Sequence, residues 1–173
     1  MFRRLRVIIN NQRGFALIEM IVVIAITGLI SGPVAGTISQ VFIINAQSTA
    51  RMTAVKQVES AVHWLSRDAM MAQTINGTAG FPKTSNLSLK WVEWDNTSHS
   101  ANYSLQNGKL RRIYSDGSQV TNTLIAEYIN PDADSTYCSS DNGVVIIKLT
   151  ASVSGFRQAS ETRVVEVIPR SGL

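Results

Sequence analysis

Three hydrophobic patterns follow one another along the chain. Over residues 15–50 the only charged side chain is Glu19. Residues 20–26, Met-Ile-Val-Val-Ile-Ala-Ile, are apolar on every face a helix could present. Residues 15–34 supply the roughly 20 positions that cross a bilayer at about 1.5 Å per residue. Past Ala46 the pattern turns amphipathic. Val55, Val58, Val62, Leu65, Ala69 and Ala72 recur at alternating spacings of 3 and 4, the stripe of a helix with one buried face. Arg51, Lys56, Glu59, Arg67 and Asp68 fall off that stripe. Ile75 ends the pattern and Asn76-Gly77 supplies a stop. One helix is predicted from about Phe15 to Ile75, roughly 90 Å long if unbroken.

From Leu87 onward the period becomes two. Residues 87–94 alternate and are rich in aromatic and β-branched side chains. Residues 103–106 meet Asn107-Gly108 and resume at 109–114; Asn-Gly between two such runs is the strongest short hairpin signal. Asp116-Gly117 marks another turn. Further strands are predicted at 123–129, at 144–153 and at 162–168, before Pro169. A helix stripe followed by hairpins predicts an α+β fold. A long N-terminal helix, membrane half plus amphipathic half, packs on a C-terminal antiparallel β-sheet domain. The boundaries read 1–14 for a basic leader, 15–46 for the membrane half, 47–76 for the docked half and 77–173 for the sheet.

Charge refines this picture at one end only. The leader holds Arg3, Arg4, Arg6 and Arg13 and no acid. Without them, 12 basic residues face 12 acidic ones, so the pI near 9.5 describes the leader. No basic face is indicated on the folded part, and nucleic-acid binding has no support in the totals. Basic residues stay on the cytoplasmic side, so the leader faces in and the C-terminal domain faces out. Gly28, Gly32, Pro33 and Gly36 interrupt the apolar run. Membrane helices tolerate such residues, although Pro33 removes a hydrogen bond and should kink or loosen the preceding turn.

The single cysteine, Cys138, cannot form an internal disulfide and reads as an inert buried thiol. His63 and His99 are the only histidines, and neither has a convincing partner in sequence. Residues 130–142 are polar and turn-rich and read as a mobile surface loop. Their acids Asp132, Asp134 and Asp141 are weak candidates for Ca²⁺, because the spacing does not match an EF-hand. Arg111 and Arg112 read as a solvated strand face. No nucleophile elbow, phosphate loop, zinc pattern or paired catalytic carboxylates occur, which argues against an enzyme.

Glu19 is the position that needs a reason. A charge in a membrane helix costs about 2.5–3.5 kcal/mol on insertion scales, so an acid there is a functional hypothesis. Three readings compete: a secretory signal cut near Pro33-Val34-Ala35, a plain signal anchor, and a processed leader. Glu19 and the uncharged continuation through residues 38–44 weigh against the first. The second gives no reason for Gly-Phe after the basic leader. Arg13-Gly14-Phe15-Ala16-Leu17-Ile18-Glu19 resembles the class III signal of type IV prepilins. The resemblance implies cleavage after Gly14 by a prepilin peptidase, methylation of the new Phe15 amine, and a role for Glu19 in assembly. It implies a chain held once in the inner membrane, then passed by the assembly machinery into a surface or periplasmic filament of pilin or pseudopilin subunits. Residues 103–112, Tyr-Ser-Leu-Gln-Asn-Gly-Lys-Leu-Arg-Arg, and the end of the last strand at Ile168-Pro169-Arg170 are similar to minor pilins and minor pseudopilins, some of which bind calcium in a late loop. The rival from another class is a membrane-anchored extracytoplasmic binding domain that never polymerises.

Overall fold

In the computed structural model, residues 13–155 and 158–170 are described, and the leader expected over 1–14 falls almost wholly outside them. The chain divides into two compact units, Met1–Asn45 and Ala46–Leu173. Helix α1, Arg13–Met71, contributes to both. It continues through Pro33.

In the first unit the helix buries almost nothing in the chain itself. Leu29 is 78% exposed and Phe42 70%, so this apolar surface is matched only by lipid or another helix. Its hydroxyls are internally satisfied. Thr27, Ser31, Thr37 and Ser39 each donate to the carbonyl four residues back, at 2.6–3.1 Å. That leaves no orphan hydroxyl donor at these positions, as an apolar medium requires.

In the second unit Ala54, Val58, Ala61, Leu65, Ala69 and Ala72 face inward and are buried. Val58, Leu65, Ala69 and Ala72 are buried as predicted, while Ala54 and Ala61 take the places expected for Val55 and Val62. Val55 and Val62 are half-buried flanks, and alanines occupy the centre. Small side chains let the helix approach the strands closely, whereas a reading weighted toward large apolar residues favours the valines. The helix ends at Met71, earlier than the predicted Ile75, because the chain passes directly into strand pairing. Gln73 N–H donates to the Lys90 carbonyl at 2.8 Å, and Thr74–Asn76 forms strand β1.

The strands that follow are β2 (Leu87–Val92), β3 (Ser98–Gln106), β4 (Lys109–Ser115), β5 (Val120–Ala126), β6 (Tyr137–Asp141), β7 (Val144–Val153) and β8 (Ala159–Val167). They make two antiparallel sheets where one was expected, ordered β1-β2-β3-β4-β5 and β6-β7-β8. An Ile129–Ala151 bridge joins the sheets, flanked by Asn130 N–H to Thr150 O and Ser152 N–H to Tyr128 O, both 2.8 Å. Asn107-Gly108 turns β3 into β4 with positive φ at both residues, as the sequence predicts. The expected mobile loop at 130–142 is corrected in its second half. Residues 137–141 are β6, and Asn142-Gly143, again with positive φ at both, closes a hairpin onto β7.

One apolar core joins the helix to both sheets, with Leu65, Leu89, Tyr103, Leu110, Ile147 and Leu149 among its fully buried members. Polar ties fix the helix to the edge of the larger sheet. Ser60 Oγ donates to the Ile125 carbonyl at 2.9 Å, and Gln57 Oε1 accepts the Glu127 N–H at 2.6 Å.

Candidate processing and assembly site

The expected site lies at the start of α1. Gly14 and Phe15 fall in its first turn, and their side chains lie outside the described residues. Glu19 follows one turn later and is exposed, between Ile18 at 66% and Met20 at 69%. Among the described residues no cation pairs with it. The structure thus presents a carboxylate on an apolar helical surface. The helix passes the length and composition requirement for a membrane span, with none of the most apolar window buried within the chain.

The structure corrects the placement of a second acid of α1. Asp68, placed off the stripe by its charge, is only 2% exposed. Tyr103 donates its hydroxyl to Asp68 Oδ2 at 2.6 Å. Arg112 binds the same carboxylate through Nε at 2.6 Å and Nη2 at 3.0 Å. Arg112 therefore corrects the expectation of a solvated strand face, which holds only for its neighbour Arg111. Its guanidinium also lies between aromatic rings, 4.9 Å from Trp64 and 4.5 Å from Tyr114. Burial alone would lower its pKa, but the hydrogen bonds and charge of Asp68 outweigh that and raise it. The Tyr103 hydroxyl is raised too, first by burial and then by the Asp68 charge. Three hydrogen bonds thus converge on the buried Asp68 carboxylate and tie α1 to β3 and β4.

His99 also has partners that the sequence concealed. It is stacked on Trp91 at 5.6 Å and Tyr114 at 5.9 Å, with Nδ1 2.7 Å from the Tyr114 hydroxyl. Strand register brings them together: Trp91 faces His99 across β2 and β3, and Tyr114 faces Ala101 across β3 and β4. His63 is exposed and meets the edge of Trp64. Cys138 is buried on β6, and desolvation pushes its thiol up to about 12.

The three acids of the calcium suggestion are not gathered. Asp132 lies 3.7 Å from Lys83 Nζ, the Asp134 carbonyl accepts Lys148 Nζ at 2.8 Å, and Asp141 ends β6. Among the described residues, no three His, Cys, Asp or Glu side chains stand close enough to hold a metal ion.

Comparison with known proteins adds one finding. Residues 9–35 match the family described as the prokaryotic N-terminal methylation motif. The match takes in the end of the leader from residue 9, with Arg13, then Gly14, Phe15, Glu19 and the first part of the apolar run. No curated protein matches the chain. The motif, the class III signal of type IV pilins, stands at the head of an apolar helix long enough to span a membrane.

Proposed function

We propose that the protein is a structural subunit of a type IV pilus or of a secretion-type pseudopilus, and that it performs no catalysis. The carrying observation is the methylation motif at 9–35 running without a break into an exposed apolar helix. Prepilin peptidase cuts after Gly14, the Phe15 amine is methylated, and the processed helix leaves the inner membrane to bundle with those of other pilin-like subunits. Until then the leader faces the cytoplasm and the Ala46–Leu173 unit lies outside it. Glu19 gives the bundle its register. Burying a lone carboxylate among apolar helices is costly. The amine of a neighbouring subunit, still cationic after methylation, offsets that cost at one axial offset and at no other.

Intact-mass and N-terminal peptide analysis of membrane fractions tests the processing. The mature chain should begin at methylated Phe15. A start near Gly36 would point to an ordinary signal peptidase, and an uncut chain to a membrane-anchored domain that does not polymerise. Glu19→Ala should still be inserted, since losing a charge eases insertion, and should still be cut after Gly14. It should enter sheared filaments poorly. Normal incorporation of Glu19→Ala would remove the carboxylate from the mechanism, and Glu19→Gln separates charge from hydrogen bonding.

A further inference from the structure

His99, the second residue of β3, is 7% exposed and incompletely bonded. Its Nδ1 lies 2.7 Å from the Tyr114 hydroxyl, while its Nε2 is buried and makes no hydrogen bond. Glu93 Oε1 stands 3.6 Å from that nitrogen, too far to bond it. The ring itself is held in place. Trp91 stacks on it at 5.6 Å and 10°, and Tyr114 at 5.9 Å and 20°.

A neutral imidazole does not satisfy this setting, because it has one N–H and one lone pair. When the Tyr114 hydroxyl donates to Nδ1, Nε2 carries a proton that nothing receives. When Nδ1 donates to the Tyr114 oxygen, Nε2 turns a bare lone pair toward a carboxylate. An imidazolium donates from both nitrogens. Nδ1–H then goes to the Tyr114 oxygen and Nε2–H to Glu93, with two aromatic faces against the cation. Burial, and after it the Asp116 charge, raises the Tyr114 hydroxyl, so that partner stays protonated at neutrality and below. The other charges come from the elements packed around the ring. Asp95 in the β2–β3 turn interacts favourably with a His99 cation, and Asp116 stands in the β4–β5 turn. Arg112 on β4, 4.5 Å from the Tyr114 ring, opposes a second cation, but Asp68 of α1 holds it in two hydrogen bonds. Lys90 of β2 alternates onto the opposite face of the sheet.

Glu93 is also the residue that closes the turn. Its N–H donates to the Thr97 carbonyl and its own carbonyl accepts the Asn96 N–H, both at 3.0 Å. A charge-assisted bond from Nε2 needs the carboxylate to approach by about 0.8 Å, and it ties the turn to the buried stack. We propose that His99 and Glu93 form a proton-operated clasp on the β2–β3 turn, which carries the 95% exposed Trp94. With His99 protonated the clasp is shut, and the turn is held to the Trp91–His99–Tyr114 stack. With His99 neutral, Glu93 is released to solvent. Histidine is the side chain that ordinarily changes charge between pH 5 and 8. The clasp lies wholly within the Ala46–Leu173 unit and does not depend on the filament reading.

The test uses the full chain in detergent micelles, melted at pH 5.5 and at pH 8 and followed by tryptophan fluorescence. The pair adds stability only while His99 carries its proton, so its contribution is present at the lower pH and lost at the higher. Glu93→Gln should therefore lower the melting temperature by about 2–4 °C more at pH 5.5 than at pH 8, the scale of a partly screened ion pair. In a His99→Gln background the same substitution should cost the same at both pH values. A second measurement needs no change at His99. In a His63→Gln chain His99 is the one histidine left, and heteronuclear NMR of its ring at pH 5.5 should show two N–H protons protected from water. Glu93→Gln should expose the proton on Nε2 and spare the one on Nδ1. A single protected ring proton at pH 5.5, or a Glu93→Gln loss that is equal at both pH values, overturns the clasp and makes His99 a plain core side chain.

Discussion

Arg112→Ala probes how the helix is fixed to the larger sheet. The substitution leaves the Asp68 carboxylate at 2% exposure with Tyr103 as its one remaining side-chain donor. Removing one partner of a buried ion pair typically costs about 3–5 kcal/mol, because the charge left behind can neither reach water nor find a substitute. The Arg112 side chain is itself only 11% exposed, so solvent screens the pair little. For a unit the size of Ala46–Leu173, the unfolding entropy of about 2.1 cal/mol/K per residue converts each kcal/mol into about 4 °C. The melting temperature should therefore fall by roughly 11–19 °C. Thermal and urea unfolding of an Ala46–Leu173 fragment, followed by circular dichroism and tryptophan fluorescence, measures it. Asp68→Leu combined with Arg112→Met is the informative control. Replacing both charges with apolar groups removes the desolvation penalty with the pair, so the double variant should lose much less than either single one. The reasoning is refuted if Arg112→Ala costs under about 1 kcal/mol, the value of an exposed pair, or if the double variant loses the sum of the two single ones.

Two further outcomes are expected of the same fragment. Leu65→Asp places a charge at a fully buried position of the helix–sheet core, at a cost of several kcal/mol. Cooperative unfolding should be lost, and a melt like the parent's would mean the helix does not dock on the sheets. Tyr103 carries a folded-state pKa above its ordinary 10.0, so the folded chain holds a proton that the unfolded chain releases. The stability is fully present below pH 10 and falls as pH rises above it, by at most about 1.4 kcal/mol per pH unit for this group. Tyr103→Phe should flatten that part of the alkaline decline, and an unchanged slope would show that Tyr103 does not contribute to it.

Some parts of this molecule can be read from local spacing and others only from register. The apolar run, the acid at its mouth and the Asn107-Gly108 hairpin are local patterns, and the structure bears out the helix and the hairpin. The Asn142-Gly143 turn carries the same signal, although the acids and serines before it have the composition of a loop. The hairpin rule makes β6 legible as well. Four of the six stripe residues are legible too; the exchange of Val55 and Val62 for Ala54 and Ala61 is not, since alanines and valines differ little in pattern and the sheet's surface decides which docks closest. Asp68 and Arg112 lie 44 positions apart in sequence. Their partnership depends on Tyr103 facing Arg112 across β3 and β4, which hydropathy does not encode. A charge on a helix is assigned to solvent until a partner is known.

That rule sets the two acids of α1 side by side. Asp68 departs from the amphipathic pattern and is accounted for within the chain by a tyrosine and an arginine at bonding distance. Glu19 departs from the membrane pattern more sharply, and no ion pair answers it among the described residues. The counter-charge of Asp68 is intramolecular. On the function proposed above, the one for Glu19 comes from another copy, as the amine that cutting the leader would create at Phe15. Each cut copy would then carry a cation four residues from an acid, and assembly would be the step in which each acid finds an amine. This makes cleavage and Glu19 interdependent. A chain that is not cut after Gly14 should resemble Glu19→Ala in sheared-filament yield, and combining the two defects should lower that yield no further than either does alone. An additive loss would mean that the carboxylate answers to some partner other than the freed amine.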